Sequence, residues 1–211
     1  MPPNELLLTF LVTATLYGYV PGPAMLFVAA QTAAQGRRHG LMTSFGIHLG
    51  TYFHVLAAAF GITVLLHFFP SVYIGMKMAG SAYLIWLGFG LFRRVEDMNT
   101  NALSTGSSSE VQALFEGMLV EILNPKTALF YVAFLPQFTR IEDGQMLWLQ
   151  LLVLGCIANV IFSSSDVLCA LLAEVVRRRL HRSTGRQRLL RVLAGCLLIA
   201  LGLHLAAMPA L

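Results

Sequence analysis

Charge is what this chain has least of. Of its 211 residues only 11% are Asp, Glu, Lys or Arg, against 57% hydrophobic, and the mean hydropathy is +0.72. A soluble core needs far less apolar side chain, which excludes an ordinary globular domain and points to an integral membrane protein. Cysteine is nearly absent too. Cys156, Cys169 and Cys196 each sit within an apolar run without metal-type spacing, so they read as small buried residues and offer no metal site. There is no GxSxG elbow and no HExxH, and no extramembrane stretch to hold a soluble substrate. A membrane-embedded enzyme built on Ser163-Ser164-Ser165-Asp166 with His54 therefore lacks the usual devices. No basic residue precedes the first apolar run, which is expected to stay in the mature fold rather than act as a cleaved signal.

Taken at about 20 apolar residues per span, the chain divides into six segments, roughly 6–34, 41–69, 72–92, 113–138, 146–176 and 189–208. The net charge of +4 is explained by position. Arg37 and Arg38 follow segment one, Arg93 and Arg94 follow segment three, and Arg177, Arg178, Arg179, Arg182, Arg186, Arg188 and Arg191 lie between segments five and six. With six spans these connections share one side, and the opposite connections hold only Lys77 and Arg140. The basic side is then cytoplasmic, both termini are periplasmic, and the arginines are a topology signal rather than a nucleic-acid surface. The polar run 99–109 reads as a linker. This gives a first half, 1–92, a cytoplasmic linker, 93–112, and a second half, 113–211.

Two prolines interrupt apolar segments, one in each half: Pro21-Gly22-Pro23 in segment one and Asn124-Pro125-Lys126 in segment four. A proline inside a membrane helix removes a donor and leaves backbone groups that something else must satisfy. Interrupted helices at corresponding positions of two halves mark a transporter binding site. Three spans per half make the halves oppositely oriented, and Pro23-Ala24-Met25-Leu26-Phe27 is weakly similar to Pro125-Lys126-Thr127-Ala128-Leu129-Phe130. The expected fold is an all-α polytopic membrane protein: six helices in two inverted three-helix repeats, with segments one and four broken. The half-helices after each break would then present their N-termini to the bilayer centre from opposite sides, a site for a carboxylate. Proline kinks that only shape packing are the alternative.

An ionisable side chain in mid-membrane costs about 2.5–3.5 kcal/mol on insertion scales. Asp166 lies on a stripe with Cys156, Asn159, Ser163 and Ala170, which should face the interior; it either binds a proton or an amine, or merely hydrogen-bonds to Ser or Asn neighbours. Lys126 either pairs with Glu121 across the second break or holds a substrate carboxylate. Glu116, nearer the cytoplasmic end, reads as solvated. Gly46, Gly50, His54 and Gly61 share a face of segment two, with Gly46 and Gly50 forming a GxxxG pair that serves either internal packing or a partner subunit in a homodimer. His54 is either proton-coupling or a structural hydrogen bond, and His48 lies on the other side.

These residues carry a resemblance. Pro21-Gly22-Pro23, Gly36-Arg37-Arg38-His39-Gly40, the spaced Gly46, Gly50 and His54, then Lys77, Gly80, Tyr83-Leu84, Leu87-Gly88, Asn124-Pro125-Lys126, Gly195 and Gly202 resemble the LysE/RhtB superfamily of bacterial amino-acid exporters over nearly the full length. The resemblance implies a multi-pass protein of the bacterial inner membrane that exports an amino acid or derivative, such as homoserine, its lactone or threonine, by proton antiport and without a cofactor. Substrate would be held by Pro21, Gly22, Pro23, Asn124, Pro125, Lys126 and Asn159, with protons taken by Asp166, Glu121 or His54 and the cavity closed by Phe27, Phe130 and Tyr131. A divalent-cation exporter or channel of related fold is the alternative; it calls for several carboxylates converging with Asp166.

Overall fold

The computed structural model describes residues 4–61, 70–100, 109–139, 146–180 and 184–207, and it is all-helical. In chain order the helices are α1 (Asn4–Tyr19), α2 (Pro23–Gln35), α3 (Arg37–Ala59), α4 (Pro70–Thr100), α5 (Glu110–Ile122), α6 (Pro125–Leu129), α7 (Leu147–Leu180) and α8 (Thr184–Ala207). A π-helical turn, Phe130–Phe134, and a 3-10 turn, Leu135–Phe138, prolong α6. Both breaks fall at the proline motifs. Each pair, α1 with α2 and α5 with the stretch from Pro125 to Phe138, is bent by 45°.

Among the described helices α7 is long and apolar enough to cross a bilayer unbroken, and each bent pair adds one broken span. The 23-residue α3 has the length but spreads Thr43, Ser44, Thr51 and His54 along its buried side, which lowers its hydropathy. Short apolar stretches, Met78–Phe92 and Val192–Ala207, lie within α4 and α8.

Small residues set the packing. The α3 and α5 backbones are almost in contact, since a Cβ on Gly46 would collide with the Leu114 carbonyl and one on Gly117 with the Thr43 carbonyl. The GxxxG pair is thereby used within the chain. Likewise α4 lies against α8, where a Cβ on Gly88 would sit 2.8 Å from the Gly195 carbonyl oxygen and one on Gly195 3.0 Å from that of Gly88. The Ser81 hydroxyl adds a hydrogen bond to the Gly202 carbonyl. α7 packs on α3, and α2 is wedged among α3, α7 and α8. The two sequence halves are therefore interlocked.

Four expectations change. Gly61 lies beyond the end of α3 with nothing near it, because the helix stops at Ala59, so it shares no face with Gly46. Glu116 is buried, held by amides rather than solvent. Cys196 is exposed and the other two cysteines are only half-buried. α4 runs on to Thr100, well past residue 92. Residues 62–69 of segment two, the linker residues 101–108, and the side chains of Lys77, Arg93, Arg94, Arg140, Arg182, Arg186 and Arg191 lie outside the described residues.

Candidate functional site

The two breaks meet in the middle of the bundle. At the first, α2 starts on Gly22, whose extended backbone (φ −138°, ψ −176°) supplies no side-chain cap, and Pro23 has no N–H. The first N–H bonded back along the chain is that of Leu26, to the Gly22 carbonyl at 3.0 Å. The amides of Ala24 and Met25 are left as open donors at the positive end of the helix.

The carbonyls freed at the end of α1 are taken by side chains from other helices. Lys126 Nζ donates to the Tyr17 carbonyl at 3.0 Å and also to that of Val20. Ser165 Oγ donates to the Gly18 carbonyl at 3.0 Å. The Lys126 ammonium also lies 4.9 Å from the centroid of the Tyr17 ring, and the Tyr17 hydroxyl donates to the Lys126 carbonyl at 2.8 Å. Lys126 therefore ties one break to the other. Its stem crosses over Gly22, where a Cβ would lie 2.6 Å from Lys126 Cδ.

The second break is closed by its own residues together with Thr51 and His54 of α3. Asn124 caps α6: its Oδ1 accepts from Lys126 N–H at 3.1 Å, and its Nδ2 donates to Glu121 Oε2 at 2.9 Å and to Thr127 Oγ1 at 3.0 Å. Glu121 Oε1 accepts from Thr51 Oγ1 at 3.0 Å, and the Glu121 carbonyl accepts from His54 Nε2 at 2.9 Å. A carbonyl only accepts, so His54 Nε2 carries a proton.

Asp166 differs from Glu121. It is 5% exposed, yet among the described residues it makes neither a hydrogen bond nor an ion pair. It faces a cavity of about 30 Å³ lined by Tyr17, Gly22, Met25, Lys126, Phe162 and Asp166 with seven further neighbours, Glu121, Asn124, Ala24 and Ser165 among them. That volume holds one or two waters. Any solute larger than a few waters needs the surrounding helices to part. The cavity's Tyr17 and Phe162 rings rest on the core ring of Phe130, with Tyr17 5.1 Å and Phe162 4.9 Å from it, centroid to centroid.

Gly22, Asn124, Lys126, Glu121 and Asp166 thus come together at the cavity, and Pro21, Pro23, Pro125, Asn159 and His54 do not line it. The prolines act through the breaks they impose. Asn159 is fully buried between α3 and α7, where its Nδ2 donates to the His48 carbonyl at 3.2 Å and its Oδ1 accepts from Ser163 Oγ at 3.3 Å. Lys126 makes no ion pair with Glu121; two of its three donors go to the Tyr17 and Val20 carbonyls. Phe27, Phe130 and Tyr131 belong to the packed cores rather than to the cavity wall, which Tyr17, Phe162 and Met25 form instead. Sequence reasoning missed Tyr17 and Ser165. Tyr17 stands one turn before Pro21, and Ser165 adjoins Asp166 in a serine run, the two signals that were available.

The sequence matches the profile of LysE type translocators over residues 17–208. It is 33% identical over 134 residues to an uncharacterized membrane protein of Pseudomonas aeruginosa, an overlap of 62% of each chain. An uncharacterized membrane protein of Synechocystis is 28% identical over 187 residues, 88% of each chain. A leucine efflux protein of Enterobacter is 28% identical over 134 residues, 64% of each chain. The overlap with the Pseudomonas and Enterobacter proteins is thus less than two thirds of their length. No solved structure matches. With the translocator profile extending over nearly its whole length, this chain is a membrane transporter rather than an enzyme, and it belongs to the LysE type translocator family.

Proposed function

We propose that the chain exports a zwitterionic amino acid across the bacterial cytoplasmic membrane in exchange for protons. The observation that carries this reading is the pairing, around one cavity, of an uncapped helix N-terminus with a buried carboxylate that, among the described residues, makes no hydrogen bond. The open amides of Ala24 and Met25, with the Lys126 ammonium beside them, suit a substrate carboxylate. Asp166 suits the substrate ammonium. Walls of Met25, Phe162 and Tyr17 suit an aliphatic side chain, in keeping with the relatives named leucine efflux proteins. Homoserine and threonine offer the same two charged ends, whereas homoserine lactone lacks the carboxylate.

The same arrangement supports antiport. A buried carboxylate without a hydrogen bond is costly even with the Lys126 ammonium across the cavity, so on this reading Asp166 takes either a proton or the substrate ammonium, and each displaces the other. Substrate carried outward is replaced by a proton, which returns inward on the empty carrier. Glu121 already has its hydrogen-bond donors, and His54 serves the backbone of the second break; neither is free to compete for the substrate.

Six spans in two inverted halves fit the packing. A two-fold axis in the membrane plane would map α3 onto α7 and α4 onto α8, and both are contact pairs. In this frame the arginine-bearing connections are cytoplasmic, both termini are periplasmic, and 93–112 joins the halves. The site is complete within one chain, and the glycine face of α3 that would have served a second copy is occupied by α5. The divalent-cation alternative has less behind it, because among the described residues no group of three His, Cys, Asp or Glu could hold a metal ion.

The test is efflux of radiolabelled leucine, threonine, homoserine and homoserine lactone from cells overproducing the protein, with and without a protonophore. Export of a free amino acid that collapses with the gradient is the expected result. Efflux of the lactone alone, or of none, would contradict the reading.

A further inference from the structure

A second polar cluster lies apart from the cavity. Gln35 Nε2 donates to Gln31 Oε1 at 2.6 Å, Gln31 Nε2 donates to Glu116 Oε2 at 2.8 Å, and Gln112 Nε2 donates to Glu116 Oε1 at 2.7 Å. Gln31 and Glu116 are 4% and 8% exposed. Among the described residues no ion pair holds Glu116: those present join Arg38 to Glu110, and Arg177 and Arg178 to Glu174. An apolar pair would close the same gap without desolvating a carboxylate, so stability does not account for the choice.

Position accounts for it. α2 follows the first break and α5 precedes the second, so these are the two half-helices on the side of the arginine-bearing turns. Gln31 is eight residues after Pro23 and Glu116 eight before Asn124, each about 12 Å along its helix from its break. Beyond this bond α2 and α5 share few contacts, and Val120 of α5 joins the apolar cluster that holds Phe27 and Ala30. The other two halves, α1 and the stretch after Pro125, meet through rings instead: Tyr17 with Phe130 and Phe134, Phe10 with Phe138. An apolar contact resists opening into water, whereas an amide–carboxylate bond is exchanged for bonds to water at a small net cost, about 0.5–3 kcal/mol.

We infer that the Gln31–Glu116 bond is the latch of the cytoplasmic gate. It holds α2 and α5 together while the site is closed to the cytoplasm. It parts when the half-helices swing on the breaks at Gly22 and Asn124, and water takes the freed amide and carboxylate. The direction of opening rests on the proposed orientation of the exporter; the latch itself rests on the hydrogen bond and its place between the two hinged halves.

The test uses the full chain with Cys156, Cys169 and Cys196 replaced by alanine and Ser165→Cys as a reporter beside the cavity. A membrane-impermeant maleimide is applied to inside-out and right-side-out vesicles. Gln31→Ala and Glu116→Ala are each expected to raise labelling from the cytoplasmic face about fivefold, the population change that losing one net hydrogen bond allows. Labelling from the other face stays as in the parent. Gln112→Ala removes a bond within α5 only and is expected to stay within about twofold, and monodisperse elution in detergent shows that each variant is folded. Unchanged labelling in both latch variants, an equal rise in Gln112→Ala, or a rise confined to the periplasmic face would overturn the inference. The readout needs no substrate, so failure of every amino acid in the efflux assay would remove the cargo reading and leave the latch standing.

Discussion

At the first break the half-helix α2 begins on a glycine that caps nothing, while at the second α6 begins on Asn124, whose side chain takes up the Lys126 amide. The carbonyl side differs as well. The end of α1 is held by Lys126 and Ser165 from the other half of the chain, whereas the end of α5 is held by His54. At the first break the amides of Ala24 and Met25 are open, whereas at the second the Asn124 side chain takes that of Lys126 and leaves that of Thr127. On the proposed reading the two motifs divide the work: the capped break supplies the lysine, and the uncapped break is where an anion has more to gain. Sequence symmetry alone had suggested two equivalent half-sites facing each other.

The largest effect is expected where the breaks are joined. Lys126→Met strips the donor from the Tyr17 and Val20 carbonyls, each costing about 1–3 kcal/mol when left unsatisfied. Efflux should fall to background and detergent unfolding should come several degrees earlier; normal efflux would show that the breaks work independently. Gly22→Ala isolates the open break. The backbone there tolerates any residue, so the added methyl acts only by displacing the Lys126 stem. The expected result is about a tenfold rise in KM for uptake into inside-out vesicles, about 1.4 kcal/mol of binding, with little change in melting.

Asn124→Ala should show the reverse. Loss of the cap costs about 0.5–2 kcal/mol of stability, seen as a lower unfolding temperature, while KM stays near that of the parent and Asn124→Ser recovers the loss. A KM effect as large as that of Gly22→Ala would restore the symmetric picture. The smallest effect belongs to His54→Gln, whose amide donates to the same Glu121 carbonyl; efflux that still collapses with a protonophore is the expected outcome.

Much of this arrangement was legible in the chain. Both breaks follow from the local covalent chemistry of proline, and Asp166 stands out because a lone carboxylate in an apolar run needs a reason. Gly46 and Gly50 announced a close helix contact, although only the structure shows that α5 supplies it. Partners were not legible. The target of Lys126 is 109 residues away along the chain, and nothing near the lysine distinguishes a cap for α1 from a partner for Glu121. Asn159 has the spacing of an interior residue, and spacing does not tell a cavity wall from a helix interface. Glu116 was misplaced for a related reason: its burial depends on Gln31 from a different helix, and a charge near the end of an apolar run looks solvated until that helix is in place.

The most direct test of the account is substrate accumulation in proteoliposomes under an imposed pH gradient, comparing the parent chain with Asp166→Asn. If Asp166 is where proton and ammonium exchange, the parent drives an amino acid against its concentration gradient and Asp166→Asn does not respond to pH at all. Gradient-driven accumulation by Asp166→Asn at the parental level would contradict the account.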